Sequence, residues 1–267
     1  MKIGKVPESV LKRSVLRQLK TRRDEIVLGA GLGEDCAILA PGGGEVVLFS
    51  SDPVTGTGKD IALYGIHASA NDIAAAGAEP VAVLLTLLLP PDCEERELKE
   101  LMAQAEAVCA SLHIQIAGGH TEVTDAVNRI VLTVTAIGRA KEGDTVATGT
   151  AKPGNDIVVT KWIGLEGTSI AAREKEKELL ERFPAYLVEE AKGFDKYLSV
   201  IPEAAVAGKS GVCAMTDVTE GGLFGALWEM AESSGVGLEI DLKKLPIRQE
   251  TLENSNQIEL TPYDLKS

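Results

Sequence analysis

The sequence predicts an α+β protein in which strands and helices alternate along the first half of the chain. Apolar runs of strand length are separated by longer amphipathic or small-residue segments, and turn residues lie between them. Aromatic residues make up only 4% of the 267 residues, so small aliphatic side chains are expected to build the core. The predicted order is β-β-α-β-α-β-β, an antiparallel or mixed sheet with helices on one face.

The first half contains eight predicted elements. The turn PGGGE at 41–45 suits a hairpin or a tight loop between two strands, and Gly77 is a plausible helix stop. The most apolar strand, 81–89, is too short to cross a bilayer and too apolar to stay in water, which predicts a homodimer that covers it. The predicted strands are 36–40, 46–50, 81–89, 113–117 and 129–138, and the predicted helices are 9–20, 60–76 and 93–112.

The second half is predicted to form a separate domain. Turn residues replace large apolar residues near 142–154, so the expected domains are 1–148 and 149–267. The run DIVVTK at 156–161 is expected to open the second domain as a strand. The segment 210–242 is expected to supply a strand, a glycine-rich turn, the helix 223–234 and another strand. Because so few strands make only a marginal sheet, a C-terminal portion of the protein is expected to be missing from this sequence.

Composition excludes several classes of protein. Forty acidic and 27 basic residues give a formal net charge of −13, which argues against a protein that wraps nucleic acid. The four cysteines form no CxxC pair, and there is no signal peptide or membrane-length apolar span, which predicts a cytoplasmic protein that does not bind membranes. Neither a P-loop nor a dinucleotide-binding glycine motif is present.

Carboxylates beside the predicted strands are candidate metal ligands. Glu34 and Asp35 follow a glycine-rich turn, Asp52 follows a strand, and Asp72 interrupts a helix of small apolar residues. If they converge, they make an oxygen-rich site for Mg²⁺, and neighbouring glycines let backbone N–H groups approach phosphates. Taken alone, Asp72 also fits the solvated face of its helix, and GLGED also fits an ordinary turn.

Two further segments are candidate anion sites. His120 follows a double glycine, and imidazole can bind a phosphate oxygen or transfer a proton near neutral pH. The segment MTDVTEGG at 215–222 leads into a helix whose N-terminal N–H groups favour an anion. Alternatively, Thr219 caps that helix with Glu220 in its first turn, and both interpretations can hold.

Five separated motifs carry a resemblance to a known family: GEDCAIL, SSD, ASANDIAAAGAEP, GGHTEV and MTDVTEGG. Their order and rough spacing resemble the superfamily of aminoimidazole ribonucleotide (AIR) synthase, the PurM type. This superfamily includes HypE-type hydrogenase maturation proteins, which the chain resembles most, thiamine-monophosphate kinase and selenophosphate synthetase. The resemblance implies an N-terminal α/β sandwich that forms a dimeric β-barrel, a C-terminal α+β domain, and ATP with Mg²⁺ in the cleft between them.

The resemblance also implies roles for single residues. His120 stands where relatives carry an acid, so it is the expected catalytic residue and a departure from the kinase pattern. The implied metal ligands are Glu34, Asp35, Asp52 and Asp72. The implied nucleotide contacts are Gly33, Asp35, Asp52, Asn71, Gly118, Gly119, Thr121, Asp217, Gly221 and Gly222.

The function implied by the resemblance is use of ATP to phosphorylate and activate a substrate carbonyl oxygen, as in carbamoyl dehydration during hydrogenase maturation. A carbamoyl-transfer or maturation protein is the implied partner. Two alternatives remain open: a small-molecule kinase like thiamine-monophosphate kinase, and a non-catalytic nucleotide-binding assembly factor. Turnover of ATP separates the enzymes from the assembly factor.

Overall fold

The computed structural model describes residues 4–31, 37–54, 60–257, 262–263 and 265. The chain divides into two compact units, the first comprising 1–74 and 78–145 and the second 75–77 and 146–267. Across the described ranges, every helix is too short or too polar to cross a membrane. The predicted site residues Gly33, Glu34 and Asp35 lie outside the described residues.

A five-stranded mixed sheet forms the centre of the first unit, as the sequence predicts. Its order is β1-β6-β5-β7-β4, with β5 and β6 parallel and the other neighbours antiparallel. A separate two-stranded hairpin is made by β2 and β3. The strands are β1 (Gly4–Lys5), β2 (Ile26–Leu28), β3 (Ile38–Leu39), β4 (Glu45–Val54), β5 (Glu79–Leu89), β6 (Gln115–Val123) and β7 (Val131–Lys141).

Three helical segments accompany this sheet: α1 (Glu8–Val10), which continues as a π-helical segment (Leu11–Leu16), α2 (Ile61–Ala75) and α3 (Glu95–Leu112). The small residues of α2 let it approach the sheet closely, since a Cβ on Gly65 would lie 2.6 Å from Val54 Cγ2. A capping box between Glu94 and Glu97 begins α3. The predicted helices at 60–76 and 93–112 are confirmed.

The first predicted helix ends earlier than expected. The N–H groups of Lys20 and Thr21 donate to Glu106 Oε1, the first at 2.9 Å. Glu106 lies on α3 and its side chain is buried. These N–H groups are therefore used for docking the chain on α3, and the helical segment ends at Leu16 instead of continuing to residue 20.

Side-chain alternation gives the five-stranded sheet two different faces. The covered face lies against α2, and it includes Ser50, Asp52, Val134, Leu85 and Thr121. The outer face points away from α2, and it includes Phe49, Ser51, Thr135, Thr86 and His120. The hairpin of β2 and β3 packs on one end of the outer face, through Ile26 and Leu39.

Of two local predictions in the first unit, one holds in part and one is wrong. The PGGGE segment forms the short loop between β3 and β4 and not a hairpin turn, because β3 pairs with β2 while β4 pairs along its whole length with β7. The double glycine does not follow β6 but lies inside it. Gly119 has φ +142°, and a Cβ there would lie 2.0 Å from Leu85 O, so glycine is what allows β6 to continue against β5.

The described residues of the second unit form helices and no strand. The strands predicted at 156–161 and on both sides of α8 are therefore wrong, while the predicted helix 223–234 is confirmed as α8. A strand exists only when a second extended segment pairs with it, and a local apolar pattern does not supply that partner. The helices are α4 (Leu165–Glu174), α5 (Glu176–Leu180), α6 (Ala185–Lys192), α7 (Ile201–Lys209), α8 (Gly222–Ser234) and α9 (Gln249–Gln257).

Candidate functional site

The covered face brings two of the predicted metal ligands together. Asp52 lies on β4 and Asp72 on α2. Ser50 Oγ lies 2.6 Å from Asp72 Oδ2 and 3.2 Å from Asp52 Oδ2. Ser69 Oγ lies 3.4 Å from the same oxygen of Asp52. A hydroxyl carries one proton, so Ser50 donates to one carboxylate at a time and joins the two by a shared contact.

This group of Ser50, Asp52, Ser69 and Asp72, called the acidic cluster below, fits a hard divalent cation. Both carboxylates are half-buried, and two like charges around one hydroxyl favour a bound cation. Mg²⁺ typically takes one or two protein carboxylates and completes its shell with phosphate oxygens and water. Elsewhere in the described ranges too, no three His, Cys, Asp or Glu side chains gather as a metal site.

Several predicted nucleotide contacts lie near this face. Asn71 precedes Asp72 on α2 and is buried, and Thr121 is buried on the covered face of β6. Gly118 and Gly119 lie in the same strand, where β6 runs parallel to β5. These predicted contacts therefore lie on neighbouring elements of the first unit. The roles of the individual residues stay predictions.

His120 lies on the other face of the sheet. Its Nε2 atom lies 3.2 Å from Glu122 Oε2, and both side chains are exposed to solvent by more than a third. Strands β6 and β4 are separated by β5 and β7, which corresponds to about 14 Å at three strand spacings. Within one chain, the structure therefore does not bring His120 together with Asp52 and Asp72.

The predicted contacts in the second unit surround the start of α8. Asp217 is half-buried, and Gly221 and Gly222 both have positive φ, at +85° and +60°. The N-cap of α8 is Gly221, not Thr219 as one interpretation of the sequence has it. The left-handed glycine turn takes the place of a side-chain cap, and it leaves the first N–H groups of α8 without a capping side chain.

Sequence reasoning missed Ser50 and Ser69. Both could have been found from periodicity: Ser50 is two residues before Asp52 on a strand, and Ser69 is three residues before Asp72 on a helix. Residues with these spacings share a face of their element. Serine is common on strands and helices of every kind and does not by itself indicate a metal site, but in the structure the two hydroxyls contact the carboxylates.

A cleft of about 560 Å³ lies elsewhere in the first unit, and none of its described lining residues is a predicted site residue. Burial raises the pKa of the Cys93 thiol at this cleft to about 11, so the thiol stays protonated near neutral pH and is a poor nucleophile. The cleft is lined by Asp60, Ile61, Pro90, Asp92, Cys93, Glu97, Glu100, Leu101, Gln104, Arg129 and Ile130.

The related proteins include hydrogenase maturation proteins, thiamine-monophosphate kinases and selenide, water dikinases. A protein of Methanocaldococcus jannaschii named for hydrogenase expression and formation is 27% identical over 98% of this chain and 77% of its own length. Thiamine-monophosphate kinase of Methanospirillum hungatei is 32% identical over 81% of this chain and 71% of its own length. Sequence similarity thus extends over most of the chain in both groups.

Solved structures share the fold. Hydrogenase maturation protein HypE in complex with ATP aligns with 97% of this chain and 75% of its own, with a TM-score of 0.78 and 20% identity. A chain of the HypE–HypF complex aligns with 83% of this chain and 72% of its own, with a TM-score of 0.69 and 21% identity. These likenesses show the two-domain PurM-like fold that the motifs imply.

The family assignment rests on both halves of the sequence. Residues 33–140 match the AIR synthase related protein N-terminal domain, and residues 152–263 match the corresponding C-terminal domain. The two matches together cover most of the 267 residues and follow each other in the family's order. The chain therefore belongs to the AIR synthase-related family.

Proposed function

We propose that this protein uses ATP to phosphorylate and activate a carbonyl oxygen of its substrate, like the HypE-type members of its family. The observation that carries the proposal is the acidic cluster, in which Ser50 joins Asp52 and Asp72. A related HypE structure contains ATP, and a hydrogenase-maturation relative matches nearly the whole chain. Carbamoyl dehydration in hydrogenase maturation is the proposed reaction, with a carbamoyl-transfer or maturation protein as partner.

The acidic cluster would hold Mg²⁺ through Asp52 and Asp72, with Ser50 and Ser69 orienting the carboxylates. When bound, the ion neutralises phosphate charge that would otherwise repel the attacking oxygen. The protein's own contribution is to fix the triphosphate and the acceptor in line, since phosphoryl transfer depends on positioning and electrostatics.

The proposed reaction balances as a dehydration. The carbonyl oxygen of a carbamoyl group attacks the γ-phosphorus, and the bond from that phosphorus to the bridging oxygen of ADP breaks. Loss of the oxygen as inorganic phosphate, with both protons of the amide nitrogen released, leaves a carbon–nitrogen triple bond. His120 is the proposed acid–base residue, and its contact with Glu122 orients the imidazole for that role.

The proposed homodimer does not place His120 at the acidic cluster. In one chain the two lie on opposite faces of the sheet with two strands between them. Pairing of the outer faces, where Phe49 is 68% exposed, would cover His120 with the partner's outer face, while the acidic cluster of each chain stays under its own α2.

A small-molecule kinase is the second candidate, favoured by the 32% identity with thiamine-monophosphate kinase. His120 argues against it, because a neutral imidazole is a poorer ligand for Mg²⁺ than the acid that the sequence resemblance leads one to expect there. The two candidates differ in their products. A kinase forms thiamine diphosphate from thiamine monophosphate, whereas a dehydratase releases inorganic phosphate from a carbamoyl substrate.

Binding of ATP tests the site. Isothermal titration calorimetry should show that MgCl₂ strengthens ATP binding, and that Asp72→Asn weakens the magnesium-dependent binding by about 10- to 100-fold. Asp125→Asn changes an exposed carboxylate in a turn of the same unit and serves as the matched control. Equal ATP affinity with and without Mg²⁺, in the unmodified protein and in Asp72→Asn alike, contradicts the proposal.

The products test the reaction. The protein is incubated with γ-labelled ATP and either a carbamoyl-bearing peptide or thiamine monophosphate. We expect ADP and inorganic phosphate with the peptide and no thiamine diphosphate. Formation of thiamine diphosphate assigns the protein to the kinases instead, and ATP binding without ADP from either acceptor favours an assembly factor.

A further inference from the structure

The segment 9–23 concentrates positive charge in a chain that is acidic elsewhere. It contains six of the 27 basic residues and no aspartate or glutamate, although the whole chain carries a net charge of −13. A cationic side of this kind is often only the solvated side of an amphipathic helix, so the contacts of each cation decide what the segment does. The six residues are Lys12, Arg13, Arg17, Lys20, Arg22 and Arg23.

The first and last arginines of this segment hold it on the first unit. Arg13 donates to both carboxylate oxygens of Glu95 on α3, at 2.5 and 2.6 Å. Arg23 Nη2 lies 2.9 Å from Glu25 Oε1, and Nη2 of Arg139 on β7 lies 2.7 Å from the same oxygen. Arg13 and Arg23 therefore have carboxylate partners within the chain, and their role is structural.

The other four cations are exposed, and none of them forms an ion pair with a carboxylate among the residues that the structure describes. Arg22 Nη1 donates to a backbone carbonyl, that of Thr21, at 3.0 Å. Glu106 does not serve these side chains, because its Oε1 atom accepts the backbone N–H groups of Lys20 and Thr21. The four residues, called the basic surface below, are Lys12, Arg17, Lys20 and Arg22.

The backbone under the basic surface is held in place. Leu11–Leu16 is π-helical, a conformation that is rare in proteins and frequent at functional sites. Ser14, Val15 and Leu19 are buried, and Ser14 Oγ donates to Glu95 at 2.7 Å. The four like charges therefore stand on a docked segment that cannot move apart to relieve their repulsion, which favours binding of an anion from outside.

The distribution of the charges favours one kind of anion. Four cations spread over residues 12–22 suit an extended ligand better than a single phosphate group. A nucleic acid would meet the repulsion of a chain with a net charge of −13. A membrane surface needs exposed apolar residues beside the cations, whereas Val15 and Leu19 are buried here and Leu11 and Leu16 are half-buried. A short run of carboxylates on a protein needs only local complementarity.

We propose that the basic surface is an interaction surface for an acidic segment of another protein. Carboxylates of that segment pair with cations that have no carboxylate partner among the described residues, so binding breaks no described ion pair of the chain. Because the rest of the chain is acidic, the same charges orient the partner towards this segment and away from other surfaces. The inference does not rest on the proposed function, since neither ATP nor the acidic cluster takes part in it.

The test measures binding of a fluorescein-labelled peptide of consecutive glutamates by fluorescence polarisation at low salt. The double variant Arg17→Glu/Lys20→Glu is compared with Lys152→Glu/Lys209→Glu, which changes the net charge equally at two exposed lysines of the second unit. We expect peptide binding to weaken about tenfold or more in the first variant and by less than about twofold in the second. Added NaCl should weaken binding to the unmodified protein, because exposed charges are screened.

Cross-linking locates the bound peptide. Carbodiimide couples peptide carboxylates to nearby lysine amines, and mass spectrometry should find the products at Lys12 and Lys20 and not at Lys152 and Lys209. The side chains of Arg17 and Lys20 make no described contact, so circular dichroism should show that the variant keeps its fold. The neutral variant Arg17→Gln/Lys20→Gln should lose about threefold in peptide affinity and gives a second measure without charge reversal.

Four results overturn the inference. The first is equal peptide affinity in the two charge-reversed variants, and the second is cross-linking mainly at lysines of the second unit. The third is tighter binding of single-stranded DNA or of phosphatidylglycerol vesicles than of the peptide, which assigns the surface to another anion. The fourth is a change of oligomeric state in Arg17→Glu/Lys20→Glu, measured by light scattering, which assigns the surface to a second copy of this chain.

Discussion

The two faces of the five-stranded sheet are made by the same strands but have opposite chemistry. On the covered face, Ser50 and Asp52 lie under α2, and Ser50 contacts both Asp52 and Asp72. On the outer face, Ser51 contacts its neighbour Thr135 at 2.8 Å, and His120 contacts Glu122. A shift of one residue along a strand changes the face of the sheet, so the adjacent Ser50 and Ser51 have different surroundings.

The largest effect is expected from Gly119, where β6 passes from its buried start to the exposed His120. Gly119→Ala should destabilise the protein by about 3 kcal/mol or more, because the new Cβ would meet Leu85 backbone atoms at a positive φ. Urea unfolding measures this loss of unfolding free energy. Gly118→Ala is the control, since its Cβ meets only Leu84 Cδ2 at 3.2 Å, a side-chain end that can move. Equal unfolding midpoints for both variants contradict the described strand.

A smaller effect is expected on association through the outer face. Phe49→Asp should raise the dissociation constant of the proposed homodimer at least tenfold, or about 1.4 kcal/mol, because it places a charge where an aromatic side chain would be buried. Light scattering over a range of micromolar concentrations measures the dissociation constant of the dimer. Val158→Asp changes an 81% exposed side chain in the second unit and should leave association unchanged. An unmodified protein that is monomeric contradicts the dimer.

The smallest effect distinguishes the adjacent serines. Ser50→Ala should cost about 1 to 2 kcal/mol of unfolding free energy, since its hydroxyl donates to a carboxylate, whereas Ser51→Ala should cost less than about 0.5 kcal/mol. Urea unfolding in the presence of EDTA keeps divalent ions out of the comparison. If Ser51→Ala costs as much as Ser50→Ala, the contrast between the faces does not extend to their hydroxyls.

Periodicity located the helices and strands of the first unit because burial there follows the side-chain pattern closely. The small-residue run of α2 and the apolar run of β5 both correspond to elements whose residues are largely buried. In the second unit the apolar runs at 156–161 and 210–217 led to strands that are not formed. An apolar run shows that a segment is suited to burial, but not which segment pairs with it.

The sequence alone identified the family, predicted the order of the longer helices and strands of the first unit, and marked Asp52 and Asp72 as candidate metal ligands. It did so because turn residues, apolar periodicity and motif order are local properties that can be read along the chain. Only the tertiary structure decided that Ser50 joins the two carboxylates, that His120 faces away from them, and that Arg139 connects the β2–β3 hairpin to the sheet. These facts depend on strand register and on contacts between residues far apart in sequence, which no local pattern specifies.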